Sequence, residues 1–166
     1  MSDQLRAIRN LLARSGKVIE SEILGTSMGQ TLPSGSRIRI HPLHVEQYDV
    51  GQVVAFVSGD RLLAHRVVCC TRQGFLTRGD NRSWCDLPVP FDDVLGAVKQ
   101  RWTEGKWQDF HEDPHALSKR SRSARVAEAM LRACMRIDIR LARHSARALM
   151  HLARMRRRLL DAAFGG

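Results

Sequence analysis

Three short segments of this sequence carry side chains from which a hydrolytic site could be built. Ser27 lies in a turn-rich run, His65 lies within an apolar strand pattern, and Asp86 follows Gly79-Asp80-Asn81. Taken singly, each is common: a loop serine, a strand histidine and an Asp-Asn turn occur in many folds. Together they supply a hydroxyl, an imidazole and a carboxylate. A serine hydroxyl attacks only when a neighbouring base takes its proton, and a neutral imidazole suits that task near neutral pH.

The order and spacing of these segments resemble the signal peptidase I superfamily of serine endopeptidases, which includes the self-cleaving LexA and UmuD-like proteins. The resemblance covers residues 25–98. It rests on Gly25-Thr26-Ser27-Met28, His65-Arg66-Val67, Gly79-Asp80-Asn81 with Asp86 six residues after Asp80, and Gly96-Ala97-Val98. The His-Arg-Val motif matches the endoplasmic-reticulum and archaeal branch, whereas the bacterial signal peptidase I and LexA branches use a lysine base. The resemblance implies a mainly β catalytic body of the signal-peptidase/LexA type.

In this interpretation Ser27 is the nucleophile and His65 is the general base. Asp86 holds the imidazole tautomer and stabilises the charge that the ring gains during attack. The supporting residues Gly79, Asp80 and Asn81 form a turn, and we expect Asp80 to brace the site by hydrogen bonds rather than to move protons.

The resemblance also implies an oxyanion hole made by the Ser27 N–H and a second donor just before it. Gly25 offers only its backbone there, and Thr26 is the nearest hydroxyl. A lysine base is disfavoured, because none of the four lysines lies between the first and the last motif. Gln30, Ser36 and Gln52 depart from the pattern without removing a catalytic atom, so we expect a divergent member.

The elements that must position these residues are mainly strands. A short amphipathic helix is predicted within residues 1–17, from apolar residues at helical spacing. Ser58-Gly59-Asp60-Arg61 predicts a hairpin. We expect a β-rich peptidase domain over 18–110, a linker at 111–117 and an Arg-rich helical tail over 118–166. Short β-type runs bounded by turn residues predict strands at 36–40, 52–57, 61–70, 75–77 and 94–102.

Charge divides the chain into two parts. Residues 1–117 hold 14 Lys and Arg against 14 Asp and Glu, whereas residues 118–166 hold 13 against 3, so the net charge of +10 lies in the tail. In one continuous helix, a single stripe would be formed by Arg132, Arg136, Arg140, Arg143, Arg147, Arg154 and Arg158. Two interpretations stay open: the apolar side of the tail packs on the body or on a second copy, or the tail contacts nucleic acid, an anionic membrane or an acidic partner.

Composition excludes several other classes of protein. The longest unbroken apolar run has about five residues, against roughly twenty needed to cross a bilayer. The N-terminus lacks the apolar block of a secretory signal, so we expect a cytoplasmic protein that could reach a membrane peripherally. The four cysteines form no CxxC pair and are expected to be free thiols. We expect no metal and no cofactor.

The leading hypothesis is a serine endopeptidase that cleaves a protein or precursor peptide bound as an added β-strand. The resemblance implies small side chains beside the cut. The alternative is a non-catalytic or self-processing regulatory module, whose Arg-rich tail binds nucleic acid, an anionic membrane or an acidic partner. A homo-oligomer is compatible with both hypotheses.

Overall fold

Eight strands form one antiparallel sheet in the computed structural model, which describes residues 11, 15–59, 61–110 and 122–164. The strand order is β1-β2-β7-β3-β4-β5-β6, and β8 pairs with β7 outside this path. The strands are β1 Ile19–Glu22, β2 Arg37–His41, β3 Val53–Ser58, β4 Arg61–Thr71, β5 Gly74–Arg78, β6 Val89–Pro90, β7 Val94–Thr103 and β8 Lys106–Asp109.

All five strands predicted from the sequence are confirmed, and the chain is mainly β as expected. The β3–β4 hairpin is also confirmed, because Ser58 pairs with Arg61 across it. The strands β1, β6 and β8 were not predicted, since they have two to four residues and no apolar run. The N-terminal helix predicted within residues 1–17 lies mostly outside the described residues, and the linker at 111–117 lies wholly outside them.

The sheet is buried on both faces around β3. Alternate side chains of a strand point to opposite faces, so Val53 and Ala55 join one apolar cluster while Val54 and Phe56 join another. The first cluster also holds Met28 and Leu32, which come from the turn that carries Ser27. The turn is therefore anchored in the core by apolar side chains that follow Ser27.

The C-terminal part forms two helices, α1 Arg122–Ile137 and α2 Ile139–Phe164. Asp138 separates them. Its N–H donates to the Cys134 carbonyl at 2.9 Å, and its carboxylate accepts the N–H groups of Arg140 at 2.5 Å and Leu141 at 3.2 Å. Asp138 thus ends one helix and caps the next. The break at Asp138 divides the seven arginines expected in one stripe, with Arg132 and Arg136 in α1 and the other five in α2. No helix within the described ranges is both long enough and apolar enough to cross a membrane.

The two helices form a helical hairpin, α1 with α2, that packs on the outer strands of the sheet. Leu76 of β5 shares a buried cluster with Leu131 and Met135 of α1 and Ala142 and Ala146 of α2. The β4–β5 turn is hydrogen-bonded to the residues that flank the helix break at Asp138. The Gln73 side chain donates to the Ile137 carbonyl at 3.4 Å and accepts the Ile139 N–H at 2.6 Å. The helical part is thus docked on the β body.

The closeness of β2 and β7 predicts a strict requirement for glycine at position 96. A Cβ added to Gly96 would lie 2.3 Å from the His41 carbonyl oxygen. We expect Gly96→Ala to lower the free energy of unfolding by about 3 kcal/mol, since backbone must move to relieve the overlap. The control is Gly59→Ala in the β3–β4 turn, where the Cβ meets nothing within 4 Å but φ is +63°. That variant should lose only about 1 kcal/mol from backbone strain. Urea unfolding compares the two, and equal losses would contradict the prediction.

Candidate active site

Three polar side chains that are distant in sequence form one hydrogen-bonded chain. The Nε2 atom of His65 lies 2.8 Å from the Ser27 Oγ atom, and its Nδ1 atom lies 2.6 Å from the Asp86 Oδ2 atom. In this arrangement a proton can pass from the hydroxyl to Nε2, while the carboxylate holds the Nδ1–H tautomer and faces the charge that forms on the ring. The structure therefore brings together the three residues to which the sequence assigned catalysis.

His65 is held by the middle of the sheet. It lies in β4 opposite Val54 of β3 and is only 4% exposed. The Phe56 ring meets the imidazole edge-on, with the ring centroids 6.0 Å apart. Because the ring is packed on one side and hydrogen-bonded at both nitrogens, it is fixed before any substrate arrives.

Asp86 is positioned by a residue that the sequence analysis missed. The Thr77 hydroxyl donates to the Asp86 Oδ2 atom at 2.8 Å, the same oxygen that contacts His65, and the Asp86 N–H donates to the Thr77 carbonyl at 2.8 Å. Thr77 is fully buried in β5. The available signal was a threonine in an otherwise apolar strand pattern, because a buried hydroxyl needs a partner.

The turn that carries Ser27 rests directly on the 79–81 turn. The Asn81 N–H donates to the Ser27 carbonyl at 2.8 Å, and its side-chain amide donates to the Thr26 carbonyl at 3.2 Å. A Cβ at Gly79 would lie 2.6 Å from the Ser27 carbonyl oxygen, so only glycine permits this approach. The predicted supporting residues Gly79 and Asn81 therefore lie against the backbone of the Ser27 turn.

Asp80 belongs to a buried ion pair. Its carboxylate accepts two bonds from Arg66, at 2.9 and 2.7 Å, and one from the Thr31 hydroxyl at 2.6 Å. The Arg66 guanidinium, fully buried in the sheet, also donates to the Gly51 carbonyl at 2.7 Å. Asp80 is thus bonded to the Ser27 turn through Thr31, as expected of a bracing residue. The sequence analysis assigned no role to Arg66 of the His-Arg-Val motif. An arginine within an apolar strand nevertheless indicates a buried partner for its charge.

The two expected oxyanion donors before Ser27 differ in their surroundings. The Gly25 N–H donates to the Ser34 hydroxyl at 3.3 Å and is thus engaged within the loop. The Ser27 N–H, beside the nucleophile, is a candidate donor. Thr26 is exposed and borders the groove described next. The Thr26 carbonyl accepts the Gly29 N–H and the Asn81 side-chain amide, so a contribution of Thr26 to an oxyanion hole would come from its hydroxyl or its N–H.

A groove of about 1090 Å³ runs past Ser27 and His65. Residues 21–28 and 61–65 line it, and Met150 of α2 contributes from the helical hairpin. Three large apolar side chains on its rim are exposed: Leu24, Leu62 and Trp84. Within the described part of the chain, no lysine lines this groove, so the lysine base disfavoured by the sequence has no candidate there.

The cysteines of β4 do not supply a competing nucleophile. Burial raises the pKa of the Cys69 thiol and raises that of Cys70 to about 11. Both are therefore protonated at neutral pH, and a thiol is a far weaker nucleophile than a thiolate. Across the described ranges, no three His, Cys, Asp or Glu side chains are grouped so as to hold a metal ion.

Comparison with known proteins leaves the site to be interpreted from its own geometry. No protein-family model matches the chain, and no curated protein matches it significantly.

The ion pair of Arg66 and Asp80 under the Ser27 turn predicts that loss of the Asp80 carboxylate strongly lowers the free energy of unfolding. Asp80→Ala should lower the free energy of unfolding by about 3–5 kcal/mol, because it leaves the Arg66 charge buried without its partner. Glu20→Ala is a matched control, since the Glu20 carboxylate also contacts two arginines, Arg37 and Arg39, but at the surface. It should cost less than about 1 kcal/mol. Chemical denaturation measures both, and a small loss for Asp80→Ala would show that the pair does not hold the turn.

Proposed function

We propose that this chain is a serine endopeptidase of the signal-peptidase-like type. The observation that carries the proposal is the hydrogen-bonded series from the Ser27 hydroxyl through His65 to Asp86, at 2.8 and 2.6 Å, beside an open groove. The motif resemblance to the endoplasmic-reticulum and archaeal branch supports it, because that branch places a histidine where this chain has His65. The groove gives a bound peptide access to the Ser27 hydroxyl.

The proposed reaction proceeds in two halves. His65 takes the Ser27 proton while Oγ attacks the substrate carbonyl, and the Ser27 N–H donates to the oxygen that becomes negative. The imidazolium, stabilised by Asp86, then gives its proton to the departing amine, and the C–N bond breaks to leave an acyl-enzyme. In the second half His65 activates a water molecule, which releases the acid and restores the hydroxyl.

Two open backbone edges suggest how a peptide would be held. Among the residues that the structure describes, β1 ends the sheet with a hydrogen-bonded neighbour on one side, and the first half of β4 pairs with β3 alone, because β5 begins its pairing at Arg66. Residues from both edges line the groove. An extended peptide added there would satisfy unpaired backbone groups, and the exposed apolar rim would contact its side chains.

The nucleophile is tested by one substitution and one matched control. Ser27→Ala should abolish cleavage of a peptide library, with products identified by mass, while the thermal unfolding midpoint stays close to that of the wild type. Ser58→Ala, which removes another hydroxyl that lines the groove, should leave cleavage unchanged. Intact mass of the protein in the same samples reports any cut in its own chain. Full activity of Ser27→Ala would end the proposal.

A histidine base also predicts the pH dependence of the reaction. A protonated imidazole cannot accept the Ser27 proton. We therefore expect kcat/KM to fall as the solution is acidified and the His65 ring gains a proton. The profile should be flat between about pH 8 and 9. A rate that still rises beyond pH 9 would indicate a lysine base and contradict the assignment of His65.

A further inference from the structure

The helical hairpin presents an apolar surface on the side that faces away from the β body. In α1 the side chains of Val126, Met130 and Ile137 are 53–73% exposed. Their spacing of four and seven residues places them on one face of the helix. Leu131 and Met135, which are buried against the body, lie on the opposite face. The exposed face is therefore a second apolar stripe that the body does not cover.

The second helix repeats this pattern. Leu141, Leu152 and Met155 of α2 are 48–61% exposed and share one face by their spacing, whereas Ala142 and Ala146 are buried toward the sheet. The two helices touch along one side, where the Cys134 sulfur lies 4.0 Å from the Ser145 hydroxyl. We call the combined exposed surface the outer apolar face. It consists of Val126, Met130, Ile137, Leu141, Leu152 and Met155.

Basic side chains border the outer apolar face on α1. Arg125 and Arg136 are exposed and lie on the side of α1 turned away from Cys134, and thus away from α2. Arg140 and Arg147 of α2 are also exposed, but they line a separate groove beside Asp92 and Asp93 of the β body. Two carboxylates of the hairpin lie among the described residues, and both have partners. Glu128 is buried and paired with Arg132, and Asp138 caps α2. Apolar side chains thus occupy the outer surface, and positive charges border it along α1.

This distribution favours an anionic lipid surface over the other occupants. A second copy would bring the bordering arginines of both molecules together, and like charges oppose that contact. A nucleic acid would use the arginines but would leave the apolar middle exposed to water. At a bilayer the apolar side chains enter the acyl boundary, while long arginine side chains reach the phosphates beside them.

We infer that the helical hairpin is a docking surface for anionic membranes, through its outer apolar face and the arginines that border this face on α1. Met150, on the opposite face of α2, lines the candidate active site. Docking through the outer apolar face would therefore leave the β body and its groove on the side of the hairpin that faces away from the bilayer. The inference does not depend on catalysis, so Ser27→Ala should bind vesicles as the wild type does.

The test is flotation of the full chain with vesicles of phosphatidylcholine alone or mixed with phosphatidylglycerol. The wild type should float with the mixed vesicles at low salt and remain at the bottom with phosphatidylcholine alone. Met130→Gln with Leu152→Gln should lower the partition coefficient at least tenfold, whereas the exposed pair Val45→Gln with Val50→Gln, on the body, should not. Thermal unfolding checks that each variant is folded.

A second pair of variants separates charge from apolar contact. Arg125→Gln with Arg136→Gln should lower partition by about tenfold or more, since each basic residue near an anionic surface contributes about fivefold. Lys17→Gln with Lys106→Gln removes the same charge from exposed body positions and should have little effect. Equal flotation of all variants, or none with anionic vesicles, would overturn the inference. A wild-type dimer would also overturn it, if the double variant Met130→Gln with Leu152→Gln is monomeric. So would the absence of flotation together with salt-sensitive binding to duplex DNA, if the same double variant binds the DNA as the wild type does.

Discussion

The buried pair of Arg66 and Asp80 is the interaction on which the candidate site depends. A guanidinium without exposure to water must find partners for its charge and its donors, and Arg66 finds them in Asp80 and the Gly51 carbonyl. Asp80 in turn accepts the Thr31 hydroxyl. One charge pair therefore joins β4, the turn of Ser27 and the 79–81 turn. Since His65 precedes Arg66 in β4, the same strand that carries the base also fixes the support under the nucleophile.

The geometry of β4 gives His65 and Arg66 different partners. Successive side chains of β4 point to opposite faces, so His65 reaches Ser27 and Asp86 while Arg66 reaches Asp80. The apolar core completes the support, because Met28 anchors the Ser27 turn from the side of the first cluster. The helical hairpin also lines the groove beside Ser27, through Met150. A small turn is thus held by charge, by backbone hydrogen bonds and by packing at once.

Residues that meet only across the sheet were the hardest to predict. Read along the chain, the arginines and tryptophans do not interleave, yet the Arg39 guanidinium lies 4.1 Å from the ring centroid of Trp107, and Arg37 lies over both Trp102 and Trp107. Strands β2, β7 and β8 bring these side chains together. The Thr77 contact with Asp86 has the same origin. The helix break at Asp138 was missed for another reason, since its flanks keep helical spacing and only the capping bonds reveal it.

The sequence by itself determined the long strands, the β3–β4 hairpin, the helical character of the C-terminal part and the three residues of the candidate site, because these depend on local periodicity and on motif order. Tertiary structure decided which partners position those residues and which helix faces stay exposed. The physical reason is that a buried polar group must find its partner in space, and an apolar face is covered or exposed according to what packs on it. Neither condition is expressed in the spacing of residues along one chain.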